Sequence, residues 1–143
     1  MIKNIKKKAL LKSLWVYHLS VGSCNNCDIE ILDCLTPRFD IERFGMVLVG
    51  SPRHADVLLV TGTMTRQCKP AALRVYRQMA KPCVVIAIGT CPAGQGIFKG
   101  SYNMPETVDE VLPVDAYVPG CPPKPEAIID GIVKVIKKLK GTR

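Results

Sequence analysis

The chain has 143 residues, of which 48% are hydrophobic, and a formal net charge of +8 at pH 7. This length suits one domain with a single core and is too short for two ordinary domains, and the longest apolar run, residues 83–88, is far below the roughly 20 residues that span a bilayer. The excess of basic over acidic residues is confined to the two ends of the chain, which argues against a nucleic-acid-binding protein.

The first predicted segment is a basic tail, residues 1–13, followed by one domain over residues 14–143. The tail carries five lysines and no acidic residue, and residues 134–143 carry five further basic residues and no acidic one. The rest of the chain holds ten basic and twelve acidic residues. This distribution is typical of a nearly neutral body whose ends are solvated, or meet an acidic partner or lipid headgroups.

Strands and helices alternate through the rest of the chain. Apolar runs predict strands at residues 15–20, 46–50, 57–61, 83–88 and 114–118. Apolar residues at helical spacing predict helices at residues 25–35, 69–80 and 125–139. This alternation predicts an α/β, flavodoxin-like fold, with a mostly parallel sheet and helices on both of its faces.

Three of the predicted strands run into a glycine and, within two residues, a cysteine. These pairs are Gly22 with Cys24, Gly89 with Cys91, and Gly120 with Cys121. Because the carboxyl ends of parallel strands share one edge of a sheet, we expect these thiols to converge there. Cys27 joins them because it follows Cys24 at C-x-x-C spacing. Four thiolates are suitable ligands for an iron–sulfur cluster or for structural zinc.

The residues around these cysteines favour a cluster over zinc. A cubane is bulkier than one zinc ion, and its sulfides accept hydrogen bonds from backbone N–H groups, so glycines are needed where the chain approaches it. Zinc ribbons usually draw on two C-x-x-C pairs, and only one is present. Unligated core cysteines are the third alternative. Outside this set, Cys34, Cys68 and Cys83 are predicted to be small buried thiols.

Several ordered motifs resemble one family of redox subunits. They are residues 22–30 (GSCNNCDIE), 43–45 (RFG), 50–56 (GSPRHAD), 60–63 (VTGT), 89–91 (GTC) and 118–123 (VPGCPP). Together they resemble the small subunit of energy-converting, membrane-bound nickel–iron hydrogenases, which is related to the 20 kDa iron–sulfur subunit of complex I. Complex I subunits carry adjacent cysteines where this chain has C-x-x-C, which favours the hydrogenase side. Asn26 stands where such hydrogenases usually have glycine.

The resemblance implies one proximal 4Fe-4S cluster, held by Cys24, Cys27, Cys91 and Cys121 at the carboxyl edge of the sheet. It also implies three kinds of partner: a large subunit with the nickel–iron site, a polyferredoxin-type iron–sulfur subunit, and integral membrane subunits that couple the reaction to ion transport. The chain would then be a non-catalytic electron-relay subunit of a ferredoxin-dependent hydrogenase. Its expected location is the cytoplasmic face of the membrane, where partner subunits hold it.

Two further residues are candidates for a role at the cluster. Glu30 lies three residues after Cys27, so on a helix the two would share a face, and its carboxylate is a candidate for proton transfer. Arg53, next to His54, lies in a turn between two strands that we expect on the same edge as the cysteines. A guanidinium there would stabilise the reduced cluster. Hydrogen bonding within a loop is the alternative role for Glu30, and an ordinary surface turn is the alternative for Arg53 and His54.

Two other functions are alternatives to the hydrogenase hypothesis. The first is an equivalent cluster subunit of a complex I-like enzyme that reduces a quinone or a sulfur compound, because the terminal site lies on another subunit. The second is a zinc-stabilised interaction module, which would be colourless.

Overall fold

The computed structural model describes residues 13–141. The predicted basic tail, residues 1–13, lies outside the described part except for Ser13, and so do residues 142 and 143. Within the described residues, five parallel strands form one sheet in the order β2-β1-β3-β4-β5. The strands are β1 (Leu14–Ser20), β2 (Met46–Leu48), β3 (Val57–Thr61), β4 (Val84–Ile88) and β5 (Ala116–Val118).

Helices cover both faces of this sheet. In the described part they are α1 (Asn26–Asp33), α2 (Cys68–Gln78), α3 (Thr90–Gly94), α4 (Val108–Val111) and α5 (Pro125–Gly141). Short 3-10 helices span Ile41–Phe44, Pro52–His54 and Gly96–Phe98. Side chains from α1 and α5 pack on one face of the sheet, and side chains from α2 and α4 pack on the other.

The central strand β3 explains this two-sided packing. Every residue of β3 is buried. Val57 and Leu59 belong to the core beneath α1 and α5, whereas Leu58 and Val60 belong to the core beneath α2 and α4. Successive side chains of a strand point to opposite faces, so a strand that is covered on both faces must be apolar at every position but its end.

The strand order 2-1-3-4-5 is that of flavodoxin-like folds, so the predicted fold class is confirmed. Two details differ from the prediction. Strands β2 and β5 have three residues each instead of the predicted five, and the helices α3 and α4 were not predicted, since four or five residues are too few to show a helical period. From residue 13 to residue 141, no helix is both long and apolar enough to cross a membrane.

Candidate metal centre

The four predicted ligands follow the carboxyl ends of the strands. Cys24 lies four residues after the end of β1, Cys91 and Cys121 lie three residues after the ends of β4 and β5, and Cys27 lies in the first turn of α1. The strand ends pair in one row across the sheet, which consists of Ser20, Thr61, Ile88 and Val118. The loops that carry the cysteines therefore begin at the same level, and we call this side of the sheet the cysteine edge.

The thiols at the cysteine edge act on one another electrostatically. Burial raises the pKa of Cys27 to about 11 together with the neighbouring Cys91, Cys24, Asp28 and Cys121, which contribute less than burial and in that order of importance. Burial also raises the pKa of Cys91, with contributions from Cys121 and Cys24. Cys27 and Cys91 thus lie in an environment that disfavours their thiolates. A bound cationic group would reverse this, because metal binding displaces the thiol protons.

The side chains at the cysteine edge are not arranged around a single ion, and they differ in burial. Among residues 13–141, no three cysteine, histidine, aspartate or glutamate side chains meet the geometry for holding a single metal ion. Cys27 is buried, Cys91 is half-buried, and Cys24 and Cys121 are exposed. Two of the four thiols therefore open toward the surface of the domain.

Glycines give the backbone room beside these thiols. Gly89 has a φ of +99°, and a Cβ atom at this position would lie 2.8 Å from the Sγ atom of Cys27. A Cβ at Gly96 would lie 3.6 Å from the Sγ atom of Cys91, which is ordinary contact. The sulfurs of Cys27 and Cys91 thus lie beside glycine backbone without a side chain, which leaves the space that a bulky sulfur-rich group requires. The four-thiol donor set and this cradle fit the 4Fe-4S cluster that the sequence predicts.

Hydrogen bonds join the loops of Cys91 and Cys121. Thr90 donates from its backbone nitrogen and from its hydroxyl to the carbonyl of Gly120, at 2.8 Å and 3.0 Å. The other predicted glycine, Gly22, lies against the segment after β3, since a Cβ there would lie 2.7 Å from the carbonyl oxygen of Thr63. Each of the three predicted glycines therefore lies at the cysteine edge.

Replacing Gly89 with alanine should reduce the iron content of the purified protein to a small fraction of the wild-type value. The new methyl group would occupy the space beside the Cys27 sulfur, and the left-handed backbone would cost about 1–3 kcal/mol for a side chain. Iron and acid-labile sulfide per chain are the measurement. Gly94→Ala is the matched control, since nothing lies within 4 Å of a Cβ at that helical position. Full iron content in Gly89→Ala would contradict the expectation.

A polar network that was not predicted from the sequence supports the loop of Cys24 and Cys27. The carboxylate of Asp28 accepts hydrogen bonds from the hydroxyls of Ser23 and Thr61, and its Oδ1 atom lies 2.9 Å from Nε2 of His18. Ser23 Oγ in turn accepts a hydrogen bond of 3.0 Å from the backbone N–H of Asn25. The network thus connects the residues on either side of Cys24 to strands β1 and β3.

These contacts favour the ionised form of Asp28. Burial opposes its ionisation, but the hydrogen bonds from Ser23 and Thr61 and the neighbouring His18 outweigh burial and lower the pKa of Asp28. A signal of this network was present in the sequence, because His18 is a polar residue within an otherwise β-prone strand. Its partners could not be identified without the register that pairs β1 with β3.

Replacing Asp28 with asparagine should lower the free energy of unfolding by about 1–3 kcal/mol, because a partly buried set of donors loses a charged acceptor. The midpoint of urea unfolding at neutral pH is the measurement. Asp130→Asn is the control, since Asp130 pairs with Lys134 on the exposed side of α5 and such pairs contribute about 0–1 kcal/mol. Equal midpoints for the two variants would show that the network does not stabilise the fold.

Arg53 and His54 do not lie at the cysteine edge. The segment that contains them leaves the sheet where Val49 N donates to Val16 O at 2.8 Å, and returns where Asp56 N donates to Trp15 O at 2.7 Å. The His54 ring packs 6.3 Å from the Trp15 ring. The predicted position beside the cysteines is therefore wrong. β2 ends level with Val16, so the turn after it lies at the opposite side of the sheet, which we call the amino edge.

Glu30 and Cys34 form a separate contact on α1. Glu30 is half-buried, and its carbonyl accepts hydrogen bonds of 3.2 Å from both the backbone nitrogen and the sulfur of Cys34. Burial, together with smaller contributions from Asp33 and Glu30, raises the pKa of Cys34 to about 11. Cys34 is thus a buried thiol, as predicted, whereas Cys68 and Cys83 are half-buried. A proton-transfer role for Glu30 stays a prediction.

Known proteins are similar to this chain in sequence. The probable membrane-bound hydrogenase subunit mbhJ of Pyrococcus furiosus is 54% identical over 132 residues, which cover 92% of this chain and 79% of the relative. Formate hydrogenlyase subunit 7 of Escherichia coli is 43% identical over 133 residues, which cover 93% of this chain but only 52% of the relative.

A solved structure is similar over nearly the whole chain. It is that of the membrane-bound sulfane sulfur reductase MBS, an archaeal respiratory membrane complex, in which one chain superposes with a TM-score of 0.85 at 36% identity. The match covers 97% of this chain and 77% of that one. A family model described as the 20 kDa subunit of NADH ubiquinone oxidoreductase matches residues 24–135. The resemblance predicted from the motifs is therefore confirmed, and the chain belongs to the family of the 20 kDa subunit of NADH ubiquinone oxidoreductase.

Proposed function

We propose that this chain is an electron-transfer subunit that holds one 4Fe-4S cluster through Cys24, Cys27, Cys91 and Cys121. The observation that carries the proposal is that the strand ends Ser20, Ile88 and Val118 lie in one row across the sheet, so the loops that carry the four thiols begin together at the cysteine edge. Membership in an oxidoreductase family supports it. When bound, such a cluster accepts and releases single electrons.

The chain's own residues would hold and shape this site. Hydrogen bonds from Thr90 join the Cys91 loop to the Cys121 loop, and Asp28 fixes the loop of Cys24 and Cys27. Bare backbone at Gly89 leaves room beside the Cys27 sulfur. Since Cys24 and Cys121 are exposed, a partner that covers the cysteine edge would exclude water from the site and bring its own redox centre near it.

The surface around the cysteine edge suits such a partner. Ile97 and Tyr102, which follow the Cys91 loop, are 92% and 86% exposed, and Ile29 and Leu32 on α1 are about half exposed. Exposed apolar side chains around a site are typical of a protein interface. We assign this surface to the large subunit with the nickel–iron site. A polyferredoxin-type subunit would supply electrons, and integral membrane subunits would hold the assembly at the cytoplasmic face of the membrane.

Composition and spectroscopy of the complex test the proposal. The chain should be purified anaerobically with its native partners, and its iron, acid-labile sulfide, zinc and nickel measured. We expect four irons and four sulfides at this site and an EPR signal on reduction. Cys24→Ala should remove that signal selectively. Zinc at the four cysteines without iron would overturn the proposal and favour an interaction module.

A second candidate differs only in the terminal acceptor. The likeness to a chain of a sulfane sulfur reductase favours reduction of a sulfur compound, whereas the higher identity to a hydrogenase subunit favours protons. Nickel together with hydrogen evolution by the complex would support the hydrogenase. A nickel-free complex that reduces a sulfur compound or a quinone would support the alternative, with the cluster subunit unchanged.

Replacing Glu30 with glutamine should slow hydrogen evolution by the complex on the order of a hundredfold, because an amide cannot pass on a proton. The EPR signal of the cluster should stay unchanged. Glu42→Gln is the control, since Glu42 is exposed near the amino edge. Unchanged hydrogen evolution in Glu30→Gln would leave Glu30 with a structural role only.

A further inference from the structure

Threonines occupy every second position of the segment that leaves strand β3 at the cysteine edge. Thr61 ends the strand, and Thr63 and Thr65 follow it. The Thr61 hydroxyl donates to Asp28, and the Thr65 hydroxyl accepts a hydrogen bond of 3.2 Å from the backbone N–H of Cys68. Thr63 differs from both. It is fully buried, and its hydroxyl has no hydrogen-bond partner in the described part of the chain.

Thr63 lies against the loop that leads to Cys24. A Cβ atom at Gly22, two residues before Cys24, would lie 2.7 Å from the carbonyl oxygen and 3.6 Å from the hydroxyl oxygen of Thr63. A hydrogen bond of 3.3 Å from Thr65 N to Val21 O also joins the two segments. The absence of a side chain at Gly22 thus allows the Thr63 hydroxyl to lie directly beside this loop.

A buried hydroxyl without a partner destabilises a fold, because it has lost its hydrogen bonds to water and gained none in return. Valine has the same branched shape as threonine and would avoid this cost. A retained hydroxyl of this kind therefore indicates a partner that is bound at the site. The sulfur atoms of an iron–sulfur cluster accept hydrogen bonds, and Thr63 lies at the edge where the four thiols are.

We propose that the Thr63 hydroxyl donates a hydrogen bond to a sulfur atom of the bound cluster or of its cysteine ligands and thereby raises the reduction potential of the cluster. A donated hydrogen bond stabilises the reduced form more than the oxidised form, because the reduced form carries one more negative charge. The inference rests on the proposed function of the four cysteines as cluster ligands. It adds a residue that binds no iron and controls the potential.

Redox titration of Thr63→Val, in the complex purified with its native partners, tests the proposal. The EPR signal to follow is the one that Cys24→Ala removes. Iron and acid-labile sulfide should stay at the wild-type level. Reduction should be disfavoured about tenfold, which lowers the midpoint potential by about 59 mV for one electron. Thr63→Ser keeps the hydroxyl and should titrate as the wild type does.

Thr36→Val is the matched control, since it removes a threonine hydroxyl that lies beyond the end of α1 opposite to Cys27. That hydroxyl donates a hydrogen bond of 2.7 Å to the carbonyl of Asp33. The midpoint potential of Thr36→Val should equal that of the wild type. A potential lowered as far as in Thr63→Val would contradict a specific role of Thr63.

Exchangeable protons near the reduced cluster give a second measurement. Comparison of ENDOR spectra in water and in deuterium oxide should show one proton coupling that Thr63→Val loses and Thr63→Ser keeps. A wild-type complex without iron at the four cysteines would overturn the proposed function and this inference with it. Full iron with equal potentials for wild type and Thr63→Val would overturn the role of Thr63 alone. Loss of iron from Thr63→Val would also overturn it, because the residue would then be needed to assemble the site.

Discussion

Replacing Cys91 with alanine should abolish the iron and the acid-labile sulfide of the site, whereas replacing Cys68 with alanine should leave both unchanged. Cys91 contributes to the raised pKa of Cys27 and has a raised pKa itself, through burial and through Cys121 and Cys24. Cys68 lies at the start of α2 and packs against the core on the other face of the sheet. The two substitutions remove the same atom from different environments.

The measurement is iron and sulfide per chain, together with the EPR signal of the reduced protein. Alanine is preferred to serine because a serine hydroxyl retains an oxygen that can ligate iron. Far-ultraviolet circular dichroism of both variants should match that of the wild type. A full complement of iron in Cys91→Ala would show that this thiol is not a ligand, and loss of iron in Cys68→Ala would show that the ligand set was chosen wrongly.

Replacing Gly62 with alanine should lower the free energy of unfolding by about 3 kcal/mol or more. A Cβ atom there would lie 2.3 Å from the backbone nitrogen of Ser23 and 2.5 Å from the carbonyl carbon of Gly22. These are backbone atoms, so no side-chain rotation relieves the contact. Gly62 also has a φ of +85°, which favours glycine. Typical total stabilities are about 5–15 kcal/mol, so this loss is large.

Urea unfolding of the variant, followed by circular dichroism, measures the effect. Gly94→Ala serves again as the control and should unfold at the wild-type midpoint or slightly above it, since alanine is favoured over glycine in a helix. Because the clash displaces Ser23, the residue before Cys24, we also expect the iron content of Gly62→Ala to fall. Equal midpoints for Gly62→Ala and Gly94→Ala would show that the segment after β3 can move away from the Cys24 loop.

Most of the fold could be predicted from the sequence because its signals are local. The apolar run of β3 and the helical spacing in α5 are properties of single segments, and the alternation of such segments indicates a parallel sheet. The placement of Cys24, Cys91 and Cys121 on one edge followed from the same argument, because each comes three or four residues after the end of a strand. The pairing of the last strand residues in one row explains why that argument worked.

The sequence did not predict the positions of residues that depend on how far a strand extends or on which strands are neighbours. Arg53 was placed on the wrong edge because β2 was expected to extend to residue 50, whereas it ends at Leu48, level with Val16. The contact of Asp28 with Thr61 spans 33 residues of sequence. It depends on the pairing of β1 with β3, which no local pattern in either segment reveals.

The anchoring of the cysteine loops has a consequence for the mechanics of the domain. The loop of Cys24 and Cys27 is fastened through Asp28 to β1 and β3, whereas the loops of Cys91 and Cys121 are fastened to each other beyond β4 and β5. A group that bonds to all four sulfurs would therefore cross-link the two parts of the sheet, strands β2, β1 and β3 on one side and strands β4 and β5 on the other. Without this cross-link, the contact between β3 and β4 would depend on strand pairing and side-chain packing alone.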